Sequence, residues 1–308
     1  MDHQNLKLYN FHADFLSLCN LVKISEIPNS ILIDGMDGIG KSTFATHFIN
    51  YTLSINEDEP YDIKNYEIKS MNRSYKLSLN NSHPNLYTIT LNDGKSSISI
   101  EQIREMIKFA NKSSFNNQYK IILINKSEFL NKSSSNAILK ILEEPSKNTI
   151  FLILQNSRKK NLKTIQSRCI KFHLKLDFNN VISTTNKILN DEIYKYINPD
   201  LISHYNTPGQ IINLLDFSKT NNIDLKTISI DEFLNFIIEK KLYLKNNFMK
   251  TNFNSFLEKY LLKLTIDTKK NKYFKLYDKF INMSNKTALY NLDQETLYLN
   301  YKNNVLNG

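Results

Sequence analysis

The chain is poor in cysteine: among its 308 residues only Cys19 and Cys169 carry thiols, and nothing stands at C-x-x-C spacing. That excludes a disulfide framework and a four-cysteine zinc site, so no zinc is expected. Long apolar runs are also missing. No stretch approaches the roughly 18 apolar residues that a membrane span requires, and the opening MDHQNLKLYN has no cationic segment leading into an apolar one. The expected location is the cytoplasm, without membrane contact. Tryptophan is absent, while lysine, asparagine and isoleucine are abundant together. A uniformly A+T-rich coding sequence would leave the same bias, so the formal charge of +10 is only partial evidence for an acidic partner. The charges are scattered rather than gathered in one block, and no internal repeat is evident. A hydrophobic fraction of 41% is enough for two or three cores.

What is present is the stretch ILIDGMDGIGKST, Ile31 to Thr43. An apolar run is followed by G-x-x-x-x-G-K-[ST], formed by Gly35, Gly40, Lys41 and Ser42, and then by a helical pattern. This is the spacing of a phosphate-binding loop. Glycines let backbone N–H groups turn toward phosphate oxygens, the lysine adds a mobile positive charge, and the Ser/Thr hydroxyl ligates Mg²⁺. The expected nucleotide-binding residues are Gly35, Gly38, Ile39, Gly40, Lys41, Ser42 and Thr43, with ATP and Mg²⁺ as the candidate ligands.

Around this loop the periodicity of apolar residues changes twice. Phe11 to Val22 has helical spacing, broken by Pro28, with Cys19 as a small packing residue. Phe44, Phe48 and Tyr51 mark one face of the helix after the loop, with His47 on its flank as a partly buried surface histidine. Residues 54–84 are polar and weakly periodic, and read as a loop excursion. Leu86 to Leu91 reads as a strand, and Ser99 opens a helix through a capping box with Gln102. Lys120 to Ile124 and Thr149 to Leu154 read as strands covered on both faces, with a shorter strand at Ile170 to Leu174 and a helix from Ser133 to Glu143 stopped by Pro145. Strands alternating with helices imply a parallel sheet with its ligand at the strands' carboxyl ends. Beyond Leu176 only helices are predicted: Val181 to Tyr196, a short one after Thr207-Pro208-Gly209, then Asp231 to Leu244, Phe253 to Leu264, Tyr273 to Met283 and Asp293 to Asn300. Their aromatic stripes (Phe233, Phe236, Phe256, Tyr260, Tyr277, Phe280) read as bundle core rather than a base-stacking platform.

A hydrolytic phosphate loop needs an acid at the end of a neighbouring strand to hold Mg²⁺ and position water. After Lys120 to Ile124 the chain has Asn125 and Lys126 instead, and Glu128 stands late for a substitute. The strand-end site therefore reads as degenerate. Further on come NAILKILEEP (Asn136 to Pro145) and TIQSRCIKF (Thr164 to Phe172), with HPNLYTI, SIEQIR and TPGQIINLL as supporting segments. This order of motifs resembles the clamp-loader branch of the AAA+ ATPases and, within it, the delta-prime family of bacterial DNA polymerase III subunits.

The resemblance implies an α/β AAA+ phosphate-loop domain over residues 1–175, a small helical lid over 176–218 and an all-α collar domain over 219–308. It makes Arg168 an arginine finger acting in trans on a neighbour's ATP, presented by Ser167 and Cys169. Gln155 and Asn156 take the γ-phosphate sensor position, and Gln210 stands where motor subunits carry a lid arginine. Arg158, Lys159, Lys160 and Lys163 form a basic cluster facing DNA, a neighbour's phosphates or solvent. Glu143 and Glu144 read as helix-end carboxylates. The implied partners are gamma/tau-type ATPase and delta-type subunits, the sliding clamp and, through the complex, primed DNA. The rival readings are a nucleoside monophosphate kinase of the thymidylate type, whose phosphate loop DGMDGIGKST resembles but whose Asp-Arg pair is missing, and an autonomous AAA+ ATPase.

Asn125 and Lys126 generate the first prediction. The isolated chain should turn over ATP negligibly in a phosphate-release assay; robust turnover that Lys41→Ala abolishes would contradict it.

Overall fold

Five apolar runs become five parallel strands because each is followed by a segment with helical periodicity that carries the chain back across the sheet. The computed structural model describes residues 6–92, 94–158, 163–268, 271–290 and 293–306. The chain divides into two units, Met1–Asn180 and Val181–Gly308. In the first, α1 (His12–Lys23) precedes β1 (Ser30–Gly35), followed by α2 (Lys41–Leu53), α3 (Arg73–Leu79), β2 (Leu86–Ile89), α4 (Ile100–Ala110), β3 (Lys120–Ile124), α5 (Lys132–Glu143), β4 (Thr149–Asn156), α6 (Lys163–Gln166) and β5 (Ile170–Leu174). The strand order is β2-β3-β4-β1-β5, every pairing parallel. β1 lies between β4 and β5, so the loop after it emerges between two neighbours.

Alternation along the strands divides the core into two layers. Ile31 and Ile33 of β1 and Ile150, Leu152 and Leu154 of β4 face Phe15 and Leu18 of α1 and Phe44 and Phe48 of α2. Leu32, Ile122, Ile124, Phe151 and Ile153 face Ile103 and Met106 of α4 and Ile138 and Ile141 of α5. The α/β phosphate-loop unit expected from the sequence is therefore present. The predicted capping box of α4 forms, Ser99 accepting from the Gln102 backbone and Gln102 from the Ser99 backbone. Lys120, the polar residue opening β3, is buried, and its Nζ donates to the carbonyls of Phe109, Ala110 and Lys112 at the end of α4, where a cation complements the helix dipole.

Two expectations need correcting. His47 is not a flank residue but fully buried, its Nδ1 2.8 Å from the Tyr61 hydroxyl. The reason is the second correction: residues 54–84 do not form a plain loop, but fold back over α2 and contain α3. Asn72 caps α3 by accepting from Tyr75 N at 2.7 Å, and its Oδ1 also accepts from Asn50 Nδ2 at 2.7 Å. Asn85 N donates to His83 Nδ1 at 3.1 Å, which leaves the ring proton on Nε2, 3.1 Å from Ser74 Oγ; that hydroxyl donates to Glu57 Oε1 at 2.5 Å. Because the serine proton goes to the carboxylate and not to the imidazole, the trio is a structural clasp, not a nucleophile.

The second unit begins within α7 (Phe178–Leu189) and continues with α8 (Pro208–Asn221), α9 (Ile230–Glu239), α10 (Leu242–Lys245), α11 (Asn247–Thr268), α12 (Asn271–Tyr290) and α13 (Gln294–Tyr301). Two predicted helices are shorter than their apolar patterns. Asn190 at φ 54° ends α7, and Lys241 at φ 51° separates α9 from α10; each left-handed residue interrupts the helix. Phe233, Phe256 and Phe280 are buried core as expected, while Phe236, Tyr260 and Tyr277 are only half-buried. Phe233 meets Phe217 and Phe256 edge-on. Among the described residues no helix is long and apolar enough to cross a membrane.

The clasp on α3 generates a pH prediction. Burial holds His83 below its ordinary value, against an opposing pull from Glu57. The unfolded chain therefore binds this proton first, so the contribution is complete above about 6.5 and lost as pH falls toward the folded value. Denaturation midpoints of the native chain should drop more steeply between about pH 7 and 5 than those of His83→Gln. Equal slopes would contradict the assignment.

Candidate functional site

The phosphate loop begins where β1 runs out of room. A Cβ on Gly35 would stand 2.9 Å from the Leu174 carbonyl oxygen on β5 and 3.1 Å from Ile39 Cγ2, so only glycine ends this strand. Gly38 (φ 76°) and Gly40 (φ 108°) take backbone angles that other residues rarely adopt, and Phe44 N closes onto the Gly40 carbonyl at 2.9 Å. The first turn of α2 then presents N–H groups without intrahelical partners at the positive end of a helix dipole. Ile39 is buried beneath the loop, while Ser42 is exposed and Thr43 half-buried at the start of α2. Lys41 Nζ curls back to the carbonyls of Gly35 and Met36, 2.8 Å from each. Burial lowers its pKa, and Asp37, Glu128 and Asp34 oppose that in decreasing order. This ammonium rests on two carbonyls that triphosphate oxygens would replace, with three carboxylates and the Lys126 ammonium in its field.

At the neighbouring strand ends, Asn125 N is tied to the Ile89 carbonyl at 2.9 Å, and Lys126, at φ 58°, turns the chain back. Neither residue supplies an acid. Gln155 is buried at the end of β4, in register with Asp34 on β1, while Asn156 is in register with Gly35. Asn156 Oδ1 accepts from Arg158 N at 3.0 Å, and Asn156 N donates to Glu128 Oε2 at 3.2 Å. Asp34 is buried, and its Oδ2 meets His173 Nδ1 at 2.8 Å and Lys171 Nζ at 3.2 Å, both from β5. Asp34 Oδ1, Gln155 Oε1 and Ser127 Oγ are buried without a hydrogen-bond partner among the described residues. Unpartnered polar oxygens beside a phosphate loop, two of them pure acceptors and one a hydroxyl, fit the water shell of a nucleotide-bound Mg²⁺. Among the described residues no group of three or more His, Cys, Asp or Glu gathers as a metal site, so nucleotide phosphates would supply most of the coordination.

Arg168 lies elsewhere in this unit, between α6 and the edge strand β5. Its Nε donates to Glu143 Oε1 at 2.7 Å, its Nη2 reaches the same oxygen, and its Nη1 donates to the Thr164 carbonyl at 2.9 Å. The side chain is 32% exposed. Cys169 is half-buried, and burial pushes its thiol up to about 11, which makes it a packing residue. Arg158 and Lys163 are exposed, whereas Lys159 and Lys160 lie outside the described residues. In the second unit Gln210 completes a capping box with Thr207 and donates to Asn252 Oδ1 at 3.2 Å.

Four residues make contacts that the sequence pattern does not assign: Glu128 beside Asn156, Glu143 as the partner of Arg168, and the Asp34–His173 pair. One cue was available for Glu128. Asn131 caps α5 by accepting from Ser134 N at 2.8 Å, which leaves the residues between β3 and that cap only a tight return.

Comparison with known proteins agrees with the motif order. The family model described as "DNA polymerase III, delta subunit" matches residues 14–177, more than half of the chain. The chain is 26% identical over 147 residues to DNA polymerase III subunit delta' of Pseudomonas aeruginosa, covering 48% of this chain and 43% of the relative. It is 27% identical over 190 residues to DNA polymerase III subunit tau/gamma of Haemophilus influenzae, covering 60% of this chain and 26% of the relative. These matches span less than half the length of each relative. The solved structure of a DNA polymerase III gamma-subunit-related protein of Thermotoga maritima overlays with a TM-score of 0.49 at 14% identity, covering 93% of this chain and 96% of the other.

The close approach at Gly35 can be tested directly. Gly35→Ala forces a carbonyl of β5 to move, at a cost of about 1–3 kcal/mol, and should lower the thermal unfolding midpoint by several degrees. An unchanged midpoint would show that the neighbouring strand yields freely.

Proposed function

The chain belongs to the DNA polymerase III delta-subunit family, of the delta-prime, clamp-loader type, and from that premise we propose that it assists ATP-dependent loading of a sliding clamp onto primed DNA without being the motor. In this reading residues 1–175 are the AAA+ nucleotide unit, 176–218 a lid and 219–308 the part that joins a collar of subunits. Its partners are gamma/tau-type and delta-type subunits in the cytoplasm, with the clamp and primed DNA met through the assembly. The loop from Gly35 to Thr43 holds ATP and Mg²⁺ as a socket, with Gln155 and Asn156 at its sensing end and Gln210 on the lid.

The observation that carries this reading is the position of Arg168. It stands beside β5, an edge strand of the sheet, which in this reading is the side that faces a neighbouring subunit. Its guanidinium is held by one glutamate, one carbonyl and, at 3.5 Å, the Ser167 hydroxyl, contacts that a stronger anion can replace. A γ-phosphate is such an anion: it accepts from a planar, permanently charged fork in the transition state, when charge on its oxygens grows. Glu143 acts in this scheme as a parking place that keeps the arginine ordered until a neighbour's nucleotide arrives. The absence of a carboxylate at Asn125 and Lys126 agrees with a chain that serves another subunit's hydrolysis.

Reconstitution with partner subunits, clamp and primed DNA tests the reading. Arg168→Ala should lower turnover at the site it serves by a factor on the order of 10³, and Arg168→Lys should not rescue it, because lysine lacks the planar fork. Unaltered ATPase and clamp loading in the Arg168→Ala assembly would overturn the proposal.

A further inference from the structure

We infer that Glu128 takes over the metal-holding part of the acid missing after β3, positioning the hydrated Mg²⁺ of a bound nucleoside triphosphate without placing an attacking water. The inference rests on the nucleotide-binding reading of Gly35 to Thr43, but not on Arg168 acting in trans.

By sequence Glu128 comes four residues after the end of β3, too far for a residue continuing straight out of the sheet. The backbone changes that distance. Lys126 adopts a left-handed conformation at φ 58°, and a single 3₁₀ turn over Ser127–Phe129 follows. Phe129 N bonds to the Lys126 carbonyl and Leu130 N to the Ser127 carbonyl, each at 3.0 Å. The turn lays Glu128 across the end of β4, where its Oε2 accepts from Asn156 N at 3.2 Å.

That position is one backbone step from the loop lysine. Asn156 is in register with Gly35, and the Gly35 carbonyl accepts both from Ser157 N at 3.2 Å and from Lys41 Nζ at 2.8 Å. Glu128 and Lys41 thus sit on either side of one pair of strand ends, close enough for the carboxylate to raise the lysine's affinity for its proton. The same strand ends hold the buried acceptors Asp34 Oδ1, Gln155 Oε1 and Ser127 Oγ, all without a partner among the described residues. A carboxylate alone would satisfy neither Asp34 Oδ1 nor Gln155 Oε1, since it donates no hydrogen, although it could accept from the Ser127 hydroxyl. Waters of a Mg²⁺ shell donate in every direction, and Ser42 stands at the start of α2 as the other expected ligand.

A merely structural Glu128 would do no more than cap Asn156 N. Glu128→Gln separates the two roles, because the amide oxygen still accepts that hydrogen bond while the charge is gone. The readout is equilibrium binding of a fluorescent ATP analogue to the full chain, with and without Mg²⁺. For the native chain Mg²⁺ should tighten binding about fivefold or more, within the usual range of coupling between two ligands. In Glu128→Gln that ratio should fall to near one while metal-free binding is unchanged or tighter, and adding Asn125→Asp should restore part of the ratio. Glu128→Asp, which keeps the charge on a shorter stem, should lie between, and provides the comparison if the Gln variant fails to fold. A native-like Mg²⁺ ratio in Glu128→Gln would overturn the inference, as would a native chain whose binding ignores Mg²⁺. If the native chain bound no nucleotide, the inference and the socket reading would fall together, while Arg168→Ala in the assembly would still decide the trans role separately.

Discussion

The contact between Gly35 and the backbone of β5 organises the nucleotide unit. β1 is flanked by β4 and β5 along its length, and at its last residue the gap closes until a single methyl group would touch the Leu174 carbonyl at 2.9 Å. A strand pinned in this way delivers its loop at one place and one angle. The Gly35 carbonyl then serves as a shared acceptor for Lys41 Nζ and Ser157 N, joining the loop, the helix behind it and the end of β4. Two glycines with positive φ, Gly38 and Gly40, complete a turn that other residues would strain.

Around this fixed point the charges are divided. Lys41 lies within the field of Asp37, Glu128 and Asp34, a setting that holds an ammonium ready for phosphate. The position after β3, where a metal-holding acid is expected, carries asparagine and lysine, and the next carboxylate along the chain, Glu128, arrives by way of a 3₁₀ turn. Arg168, the group best suited to a transition state, is paired with Glu143 of α5. The loop lysine and the arginine thus stand in different parts of the unit, each held by its own carboxylates.

Much of this was legible from the sequence because it follows from local rules. The alternation of Lys120 to Ile124 and Thr149 to Leu154 with helical segments specified a parallel sheet, and the G-x-x-x-x-G-K-S spacing placed the loop. Ser99 with Gln102 announced the start of α4. What could not be read depended on long-range geometry. Residues 54–84 include polar side chains that bond one another, as Ser74, Glu57 and His83 do, or bond α2, as Asn72 does with Asn50, and composition alone makes such a network look like a loop. His47 looks like a surface residue by period alone because the segment that buries it, through Tyr61, is that same excursion. Glu128 counts as distant along the chain but becomes near once Lys126 reverses it, and Glu143 is a helix-end carboxylate until α6 brings Arg168 over it. In each case the signal lay in a tertiary contact, not in period or spacing.

The central claim is that Arg168 serves a phosphate held by another subunit, and a structure of the assembled loader with a non-hydrolysable ATP analogue tests it most directly. The account predicts that the Arg168 guanidinium has left Glu143 and lies at hydrogen-bonding distance, about 3 Å, from the γ-phosphate of the adjacent subunit's nucleotide. A neighbour's site filled with nucleotide while Arg168 still pairs with Glu143 would contradict it.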